Sequence, residues 1–171
     1  MIAMGDALAI TVMGARKFSE EDYAKLHPAG SLGRRLTMRV ADVMRKGDAV
    51  AIVPVTASLI ETVFAITQAH AGAAIIVDAD GRLAGLITDG DIRRHLLDDD
   101  DIRTRRAGDI LNPRPGTVTA DLLAVEGLQL LDNFHPDPGS KAGEAPVIDA
   151  NRRPVGMLML KDLVKAGITT F

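Results

Sequence analysis

Residues 85–92 read Gly-Leu-Ile-Thr-Asp-Gly-Asp-Ile, and residues 156–163 repeat this phrase in altered form as Gly-Met-Leu-Met-Leu-Lys-Asp-Leu. Each copy follows an apolar run that ends in aspartate, at Asp78 and at Asp149. The glycines and the aspartates both recur after 71 positions, so the two copies keep one register. A unit of this length is not long enough to bury a full core alone. The pair is therefore the predicted folding unit, and the surface between the copies is the first place to look for a ligand.

Composition limits the classes of function. The 171 residues are 47% hydrophobic and 25% charged, as in an ordinary globular chain. The sequence has no cysteine, which excludes disulfides and thiolate chemistry and suits a reducing cytoplasm. A formal charge of -3 argues against nucleic-acid binding, and no apolar stretch approaches the roughly 20 residues of a membrane span. We expect a cytoplasmic chain that binds neither nucleic acid nor membrane.

The first repeat covers residues 40–97. Its pattern predicts a strand, a helix, a β-hairpin and a final helix, at residues 52–55, 58–68, 73–88 and 89–97. Ser58 is the predicted N-cap of the first helix, whose apolar stripe contains Leu59, Ile60, Val63, Phe64 and Thr67. The repeat is therefore expected to alternate strands with helices.

The second repeat covers residues 107–168. Its first helix, predicted at residues 120–134, matches the earlier helix with a shift of 65 positions, against 71 for the landmarks that follow. The six extra residues fall in the Pro- and Gly-rich stretch 135–143, which predicts a surface loop. Gly127 lies inside the helix, where close packing is the simplest explanation for a glycine.

The stretch before the repeats begins with a predicted helix at residues 2–17. This helix is apolar around most of its circumference, and such a helix requires burial on several sides. A second helix start follows, with Ser19 as N-cap and Asp22 three residues later. The first helix has the character of the last helix of a domain that is otherwise missing.

Two β-α-β-β-α units, each ending in a strand–Gly-h-h-Thr-x-x-Asp–helix phrase (h, hydrophobic), resemble a tandem pair of CBS domains, or Bateman module. The resemblance implies an α/β fold in which the two repeats pack with pseudo-two-fold symmetry. It is weaker in the second copy, where Met159 replaces the threonine. On this interpretation residues 40–100 form CBS repeat 1 and residues 101–171 form CBS repeat 2.

The preceding stretch resembles the junction region of arabinose-5-phosphate isomerases of the KpsF/GutQ type. Residues 5–9 read Gly-Asp-Ala-Leu-Ala, and residues 27–36 read His-Pro-Ala-Gly-Ser-Leu-Gly-Arg-Arg-Leu, with Ala29 and Ser31 where glycine and alanine are usual. In that family a sugar-isomerase (SIS) domain precedes the CBS pair. The resemblance implies that residues 1–39 are the remnant of the SIS domain and a linker, and that the chain lacks the domain that binds the sugar phosphate.

His27 matches the catalytic histidine of that family. A histidine with a pKa near neutrality suits the proton transfer of an aldose–ketose isomerisation. In this chain it lacks the carboxylates and the sugar pocket that such chemistry needs, so we expect no activity from the chain alone. The other histidines show no metal-ligand spacing, and we expect no metal site and no bound cofactor.

Thr88 and Asp91 are the strongest candidates for ligand contact. A threonine at a strand end and an aspartate three residues later span a helix N-terminus, whose free N–H groups favour phosphate. The Thr88 hydroxyl can donate to a phosphate oxygen, and the Asp91 carboxylate can accept both hydroxyls of a ribose. The alternative is a plain helix cap, which uses the same residue types. Within a CBS repeat the ligand interpretation is favoured.

Further candidates are Arg93 and Arg94, one turn into the same helix, whose guanidinium groups suit phosphate or carboxylate. Solvated helix arginines are an equal alternative. Asp162 stands where Asp91 does, but Met159 takes the place of Thr88. We therefore expect Asp162 to be a capping carboxylate and expect one strong site per chain.

Two functions follow. The first is a regulatory CBS pair of an arabinose-5-phosphate isomerase in the synthesis of Kdo for lipopolysaccharide, inactive alone and binding CMP-Kdo or an adenine nucleotide. The alternative is a CBS pair without ligand that acts as an oligomerisation module. In either case we expect a homo-oligomer formed through the CBS pair. A complete small enzyme is disfavoured, because no second catalytic group can be named.

Overall fold

The computed structural model describes residues 2–19, 22, 36–98, 104–134 and 142–169. After helix α1 (Ile2–Ala15), the first repeat contains α2 (Val40–Val43), β1 (Ala51–Pro54), α3 (Leu59–Gln68), β2 (Ala73–Val77), β3 (Leu83–Thr88) and α4 (Asp89–Asp98). The second repeat contains α5 (Ala107–Ile110), α6 (Ala124–Asn133), β4 (Glu144–Ile148), β5 (Pro154–Met159) and α7 (Leu160–Lys165). The predicted surface loop at 135–143 lies mostly outside the described residues.

Each repeat is built around an antiparallel hairpin, as the sequence predicts. Strand β2 pairs with β3, and β4 pairs with β5, in equivalent registers. The turns are fixed by the landmark aspartates. The Asp78 carboxylate accepts from the N–H groups of Asp80 and Arg82 at 2.9 and 2.8 Å, and Asp149 does the same in the second turn. Gly81 adopts φ +74°, a conformation that favours glycine.

The two sheets differ in their first strand. In the first repeat β1 runs parallel to β2, which gives the order β1-β2-β3. In the second repeat Val118 forms a single parallel bridge to Val147 in place of a strand. Pro113 and Pro115 precede this bridge, and a proline has no N–H to extend a ladder.

Helix α3 and its cap confirm the prediction, but Leu59 is the one residue of the predicted stripe that is buried. The Ser58 hydroxyl accepts from the N–H of Glu61 at 3.2 Å, and the Glu61 carboxylate accepts from the N–H of Ser58 at 2.7 Å. The residues that α3 buries are Leu59, Thr62 and Ile66, whereas Ile60, Val63 and Phe64 are 61%, 41% and 63% exposed. Thr62 tolerates burial because its hydroxyl donates to the Ser58 carbonyl at 3.0 Å.

Helix α6 begins at Ala124, four residues later than the pattern predicts. The carbonyl oxygens of Ala120 and Leu122 accept from the N–H groups of Ala41 and Val40, at 2.9 and 2.8 Å. Because tertiary partners take these carbonyls, the chain does not form the helical bonds that would start the helix at residue 120. Gly127 is closely packed, as expected. A Cβ at this position would lie 2.9 Å from Leu158.

The two segments that lead into the repeats cross over. We call residues 36–46 and 104–112 the crossing segments. Val40 packs in the core of the second repeat, and Ala107 and Ile110 pack in the core of the first. The backbone of Arg45 bridges to Met157, and the backbone of Asn112 bridges to Leu86 in the same manner. The sequence repeats are therefore not identical with the packing units.

Two glycines allow the crossing segments to approach the hairpins. A Cβ on Gly85 would lie 2.5 Å from the carbonyl oxygen of Asn112, and a Cβ on Gly156 would lie 2.6 Å from that of Arg45. Real Cβ atoms do not come so close to backbone oxygen. The first residue of the repeated phrase is thus glycine because each hairpin receives a backbone from the other half of the chain.

A third apolar core joins the two hairpins. It includes Ile75 and Leu86 from the first repeat and Met157 and Met159 from the second. Both methionines are 1% exposed and serve core packing, unlike Met4 and Met13 of α1, which the sequence also favours as core residues and which are 78% and 42% exposed. The packing of one hairpin on the other places the two strand–helix corners, where β3 meets α4 and β5 meets α7, in related positions.

Helix α1 confirms the predicted helix and is exposed among the described residues. Five of its large apolar side chains are between 42% and 78% exposed: Met4, Leu8, Ile10, Val12 and Met13. The Ser19 cap also forms, because the Ser19 hydroxyl accepts from the Asp22 N–H at 3.2 Å, and the Asp22 carboxylate accepts from the Ser19 N–H at 3.1 Å. Among the helices described, none combines the length and the apolar character that a membrane crossing requires.

Candidate functional site

The first corner lies where β3 ends at Thr88 and α4 begins at Asp89. Asp91 occupies the third position of the helix and folds back onto Thr88. Its Oδ2 accepts from the Thr88 N–H at 2.9 Å and from the Thr88 hydroxyl at 2.7 Å, and the Asp91 N–H donates to that hydroxyl oxygen at 3.2 Å. The pair therefore forms a helix cap in this structure.

This cap leaves part of the carboxylate for a ligand. Arg94 donates to Oδ1 of Asp91 and lies over Gly90, where a side chain would meet it. An ionised carboxylate offers about four acceptor positions, and the donors from Thr88 and Arg94 take three of them. The Asp91 side chain is 19% exposed, so its carboxylate is partly accessible. One acceptor position remains, and it suits a hydroxyl donor.

Two of the predicted contacts need rearrangement. The Thr88 hydroxyl directs its single proton to Asp91, so donation to a phosphate would require that bond to break. Arg94 is already paired with Asp91, but its side chain is 68% exposed, and such a pair is weak. Arg93 is exposed on the same helix. The structure thus brings Thr88, Asp91 and Arg94 together, and His27 lies outside the described residues.

The second corner, at Asp162, is built differently. Asp162 was expected to cap α7, but its carboxylate pairs with Arg45 of the first crossing segment, with Nε to Oδ2 at 2.6 Å and Nη2 to Oδ1 at 3.4 Å. Met159, at the cap position, forms no side-chain bond to the helix. The expectation of a capping carboxylate was therefore wrong. A thioether cannot hold the carboxylate as Thr88 does, and a guanidinium outcompetes it.

Arg45 connects three elements at this corner. Its Nη1 donates to the carbonyl oxygen of His70 at 2.9 Å, at the end of α3, while Nε donates to Asp162 on α7. Lys161 reaches the same His70 carbonyl at 3.3 Å. Arg45 and Asp162 are only 18% and 17% exposed. The hydrogen bond from Arg45 is the main cause of a lowered pKa for Asp162, so this carboxylate stays ionised and paired with Arg45.

Glu144 lies between the two corners. It is the first residue of β4 and packs on Gly72, where an added Cβ would collide with its Oε1. The Gly72 carbonyl accepts from the N–H of Asp89, the first residue of α4. Burial raises the pKa of Glu144, and the Asp89 charge adds to the effect, while Lys161 and Arg45 oppose it. Glu144 is therefore in electrostatic contact with both corners.

Sequence reasoning missed Arg45 and Glu144. A signal for Arg45 was present, since residues 42–45 read Asp-Val-Met-Arg and residues 109–112 read Asp-Ile-Leu-Asn. This second internal repeat is spaced by 67 positions and aligns Arg45 with Asn112. Glu144 has no such signal, because its counterpart in the first repeat is Ala73.

Comparison with known proteins identifies the fold. The model of the CBS domain family matches residues 40–98 and 107–168, which is most of the chain. The chain belongs to the CBS domain family, with two domains in tandem. It resembles the CBS-pair protein CBSX2 from Arabidopsis thaliana, with a TM-score of 0.62 and 19% identity over 75% of this chain and 93% of that one. It also resembles the CBS domain pair of protein MJ0100, solved with 5'-methylthioadenosine and S-adenosyl-L-methionine, with a TM-score of 0.64, 21% identity and coverage of 75% and 94%.

Curated relatives give a second comparison. The chain is 39% identical over 167 residues to the arabinose 5-phosphate isomerase KdsD of Pseudomonas aeruginosa, with 98% of this chain and 49% of that protein covered. It is 35% identical to the arabinose 5-phosphate isomerase GutQ of Escherichia coli, with coverage of 98% and 50%. The chain therefore spans about half the length of the curated relatives it matches.

Proposed function

We propose that this chain is the regulatory CBS pair of an arabinose-5-phosphate isomerase, acting in the cytoplasm in the synthesis of Kdo for lipopolysaccharide. The observation that supports it most is the match of 98% of the chain, including the stretch before the repeats, to isomerases about twice as long. We expect no isomerase activity from the chain alone, because it spans about half the length of these isomerases and its sequence offers no second catalytic group beside His27.

Activity is tested directly. Purified chain should convert ribulose 5-phosphate to arabinose 5-phosphate no faster than buffer, measured by coupled assay or by NMR. His27→Ala is the matched control for a trace of contaminating enzyme, because contamination would be unaffected by this variant. Turnover that disappears with His27→Ala would contradict the proposal of an inactive regulatory part.

The proposed ligand is a nucleotide held at the first corner, with ribose on Asp91 and phosphate near the start of α4. The remaining acceptor position on the partly exposed Asp91 carboxylate supports the ribose placement. The N–H groups of Asp89 and Asp91 donate to the Gly72 carbonyl and to the Thr88 hydroxyl, so the phosphate is proposed to meet the N–H of Gly90. An adenine nucleotide is one candidate, because a CBSX2 structure of the same fold is a complex with AMP. CMP-Kdo, the activated form of the sugar made by the proposed pathway, is the second candidate.

A thermal-shift series with AMP, ATP, CMP and CMP-Kdo identifies the ligand, since a ligand that binds only the folded state raises its melting temperature. Calorimetry then tests the corner. Asp91→Ala should weaken binding by about 1.5–3 kcal/mol, the range for a hydrogen bond to a charged group, while Asp162→Ala should change affinity little. A larger loss at Asp162 than at Asp91 would show that the wrong corner was chosen.

An oligomerisation module is the second candidate function. The exposed apolar face of α3, formed by Ile60, Val63 and Phe64, favours it, because contiguous apolar patches commonly mark interaction sites. The two candidates separate in the thermal-shift series. A chain that only assembles would show no stabilisation by any of the four nucleotides.

A further inference from the structure

Arg45 and Asn112 occupy the same position in the two crossing segments. The N–H and C=O groups of Arg45 bond to Met157 at 2.9 and 3.1 Å. The same groups of Asn112 bond to Leu86 at 2.9 and 3.0 Å. Their Cα atoms are therefore held in equivalent places, and each side chain starts from the edge of one corner.

The two side chains behave differently. Arg45 extends to the carboxylate of Asp162 and engages both of its oxygens. Asn112 is too short and uncharged, and its Oδ1 accepts from the N–H of Arg114 in its own segment at 3.0 Å. Asp91 receives side-chain donors from Thr88 and Arg94 alone among the described residues, and both belong to its own repeat.

This difference affects how easily a ligand can reach the carboxylate at each corner. The two carboxylates are almost equally exposed, 17% for Asp162 and 19% for Asp91, but their arginine partners differ, because 18% of the Arg45 side chain is exposed against 68% for Arg94. At the second corner the mostly buried Arg45 guanidinium cancels the charge of Asp162. Displacing it would leave two charged groups without their partner, and such a loss is costly in a partly buried site. At the first corner Arg94 is the one charged side chain among the described residues that pairs with Asp91. Breaking this exposed ion pair costs little free energy.

We propose that the residue at this position of the crossing segment determines whether its corner admits a ligand: Arg45 closes the corner at Asp162, and Asn112 keeps the corner at Asp91 open. This rests on the proposed function, since it takes a nucleotide at the first corner as given. It assigns the single-site character of the chain to Arg45 as a specificity-determining residue, in addition to the loss of the threonine at Met159.

The test transfers the arginine to the open corner. Asn112→Arg supplies a guanidinium from the position that mirrors Arg45, and Asn112→Gln is the matched control, with added length but no charge. AMP is the probe, titrated by calorimetry, and thermal unfolding of each variant verifies the fold. The wild-type chain should bind one AMP, Asn112→Gln should stay within about threefold of it, and Asn112→Arg should bind at least about tenfold more weakly, as expected when a charged partner of Asp91 must be displaced.

Two results would overturn the inference: equal affinity of Asn112→Arg and Asn112→Gln, or two AMP molecules per wild-type chain. Failure of the wild-type chain to bind AMP or any other nucleotide would instead overturn the proposed function, whatever the variants do. Should Asn112→Arg not fold, Asn112→Lys delivers a positive charge from the same position. It should give the same loss, and unchanged affinity would again overturn the inference.

Discussion

Arg45 and Asp162 are separated by 117 residues in the sequence, and the Arg45 Nε lies 2.6 Å from Asp162 Oδ2. This ion pair joins the crossing segment at the start of the first repeat to the last helix of the second. Through the His70 carbonyl, Arg45 also holds the end of α3. One side chain therefore links the approach to the module with both of its repeats, and it does so at one of the two candidate corners.

Replacing Arg45 tests the pair. Arg45→Gln should lower the free energy of unfolding at pH 7 by about 1–3 kcal/mol, because Asp162 loses charged hydrogen bonds in a site that is mostly buried. Arg94→Gln is the matched control at the exposed pair of the first corner, and its cost should stay below about 1 kcal/mol. Urea denaturation measures both. Equal costs would contradict the assignment.

The same pair predicts a pH dependence. Arg45 holds the pKa of Asp162 below its ordinary value of 3.8. A lowered pKa contributes stability above the unfolded pKa, and this contribution is lost as pH falls through the folded pKa. The difference in unfolding free energy between wild type and Arg45→Gln should therefore be full at pH 7 and shrink below about pH 4. A difference that is constant between about pH 7 and about pH 3 would argue against the ion pair.

Glu144 predicts a pH dependence of stability with the opposite sign. Burial raises the pKa of Glu144 above its ordinary value of 4.5, so the folded state disfavours the charged form. The penalty is absent below about pH 4.5 and complete above the raised pKa, which means that stability falls as pH rises through this window. Glu144→Gln removes the penalty and should gain roughly 0.5–2 kcal/mol at pH 7. The gain should vanish at pH values below the ordinary pKa. Titration of the Glu144 carboxyl by NMR in an Asp89→Asn variant is the companion measurement, and its pKa should move down.

A substitution at Gly156 tests the close approach of the first crossing segment to the second hairpin. Gly156→Ala would place a Cβ 2.6 Å from the Arg45 carbonyl oxygen, and the crossing segment would have to shift. We expect a loss of about 1–3 kcal/mol, the usual cost of overpacking. Gly14→Ala in α1 is the control, because nothing lies within 4 Å of the new methyl, and alanine favours the helix by up to about 1 kcal/mol. If the two variants have the same stability, the close approach at Gly156 does not exist.

Assembly is the remaining prediction. The exposed apolar face of α3 should bind a second copy of the chain, and symmetric dimers are the commonest closed form. Light scattering at tens of micromolar should give about twice the 18.2 kDa of one chain. Phe64→Ser should weaken the dimer by about tenfold or more, since a large buried aromatic is a typical anchor. Leu8→Ser is the control on the other exposed apolar surface, that of α1, and it should leave the dimer unchanged. A monomeric wild-type chain would contradict the prediction.

The recurrence of one phrase after 71 positions predicted the tandem α/β architecture, and local patterns within the repeats predicted the hairpins and the Ser58 cap. These features follow from local chemistry, since alternation, caps and turn residues act over a few positions. The sequence did not predict which face of α3 is buried. Thr62 can lie on the buried face because its hydroxyl donates to the Ser58 carbonyl within the helix.

What only the tertiary structure decided is the exchange of segments and its effect on the corners. The sequence shows Asp91 and Asp162 as equivalent residues that differ through Thr88 and Met159. It does not show that Arg45, which is 117 positions away in the sequence, contacts Asp162, or that Glu144 lies between the corners. Contacts over 117 residues leave no periodic trace in a sequence, because they depend on where two distant stretches of backbone come together.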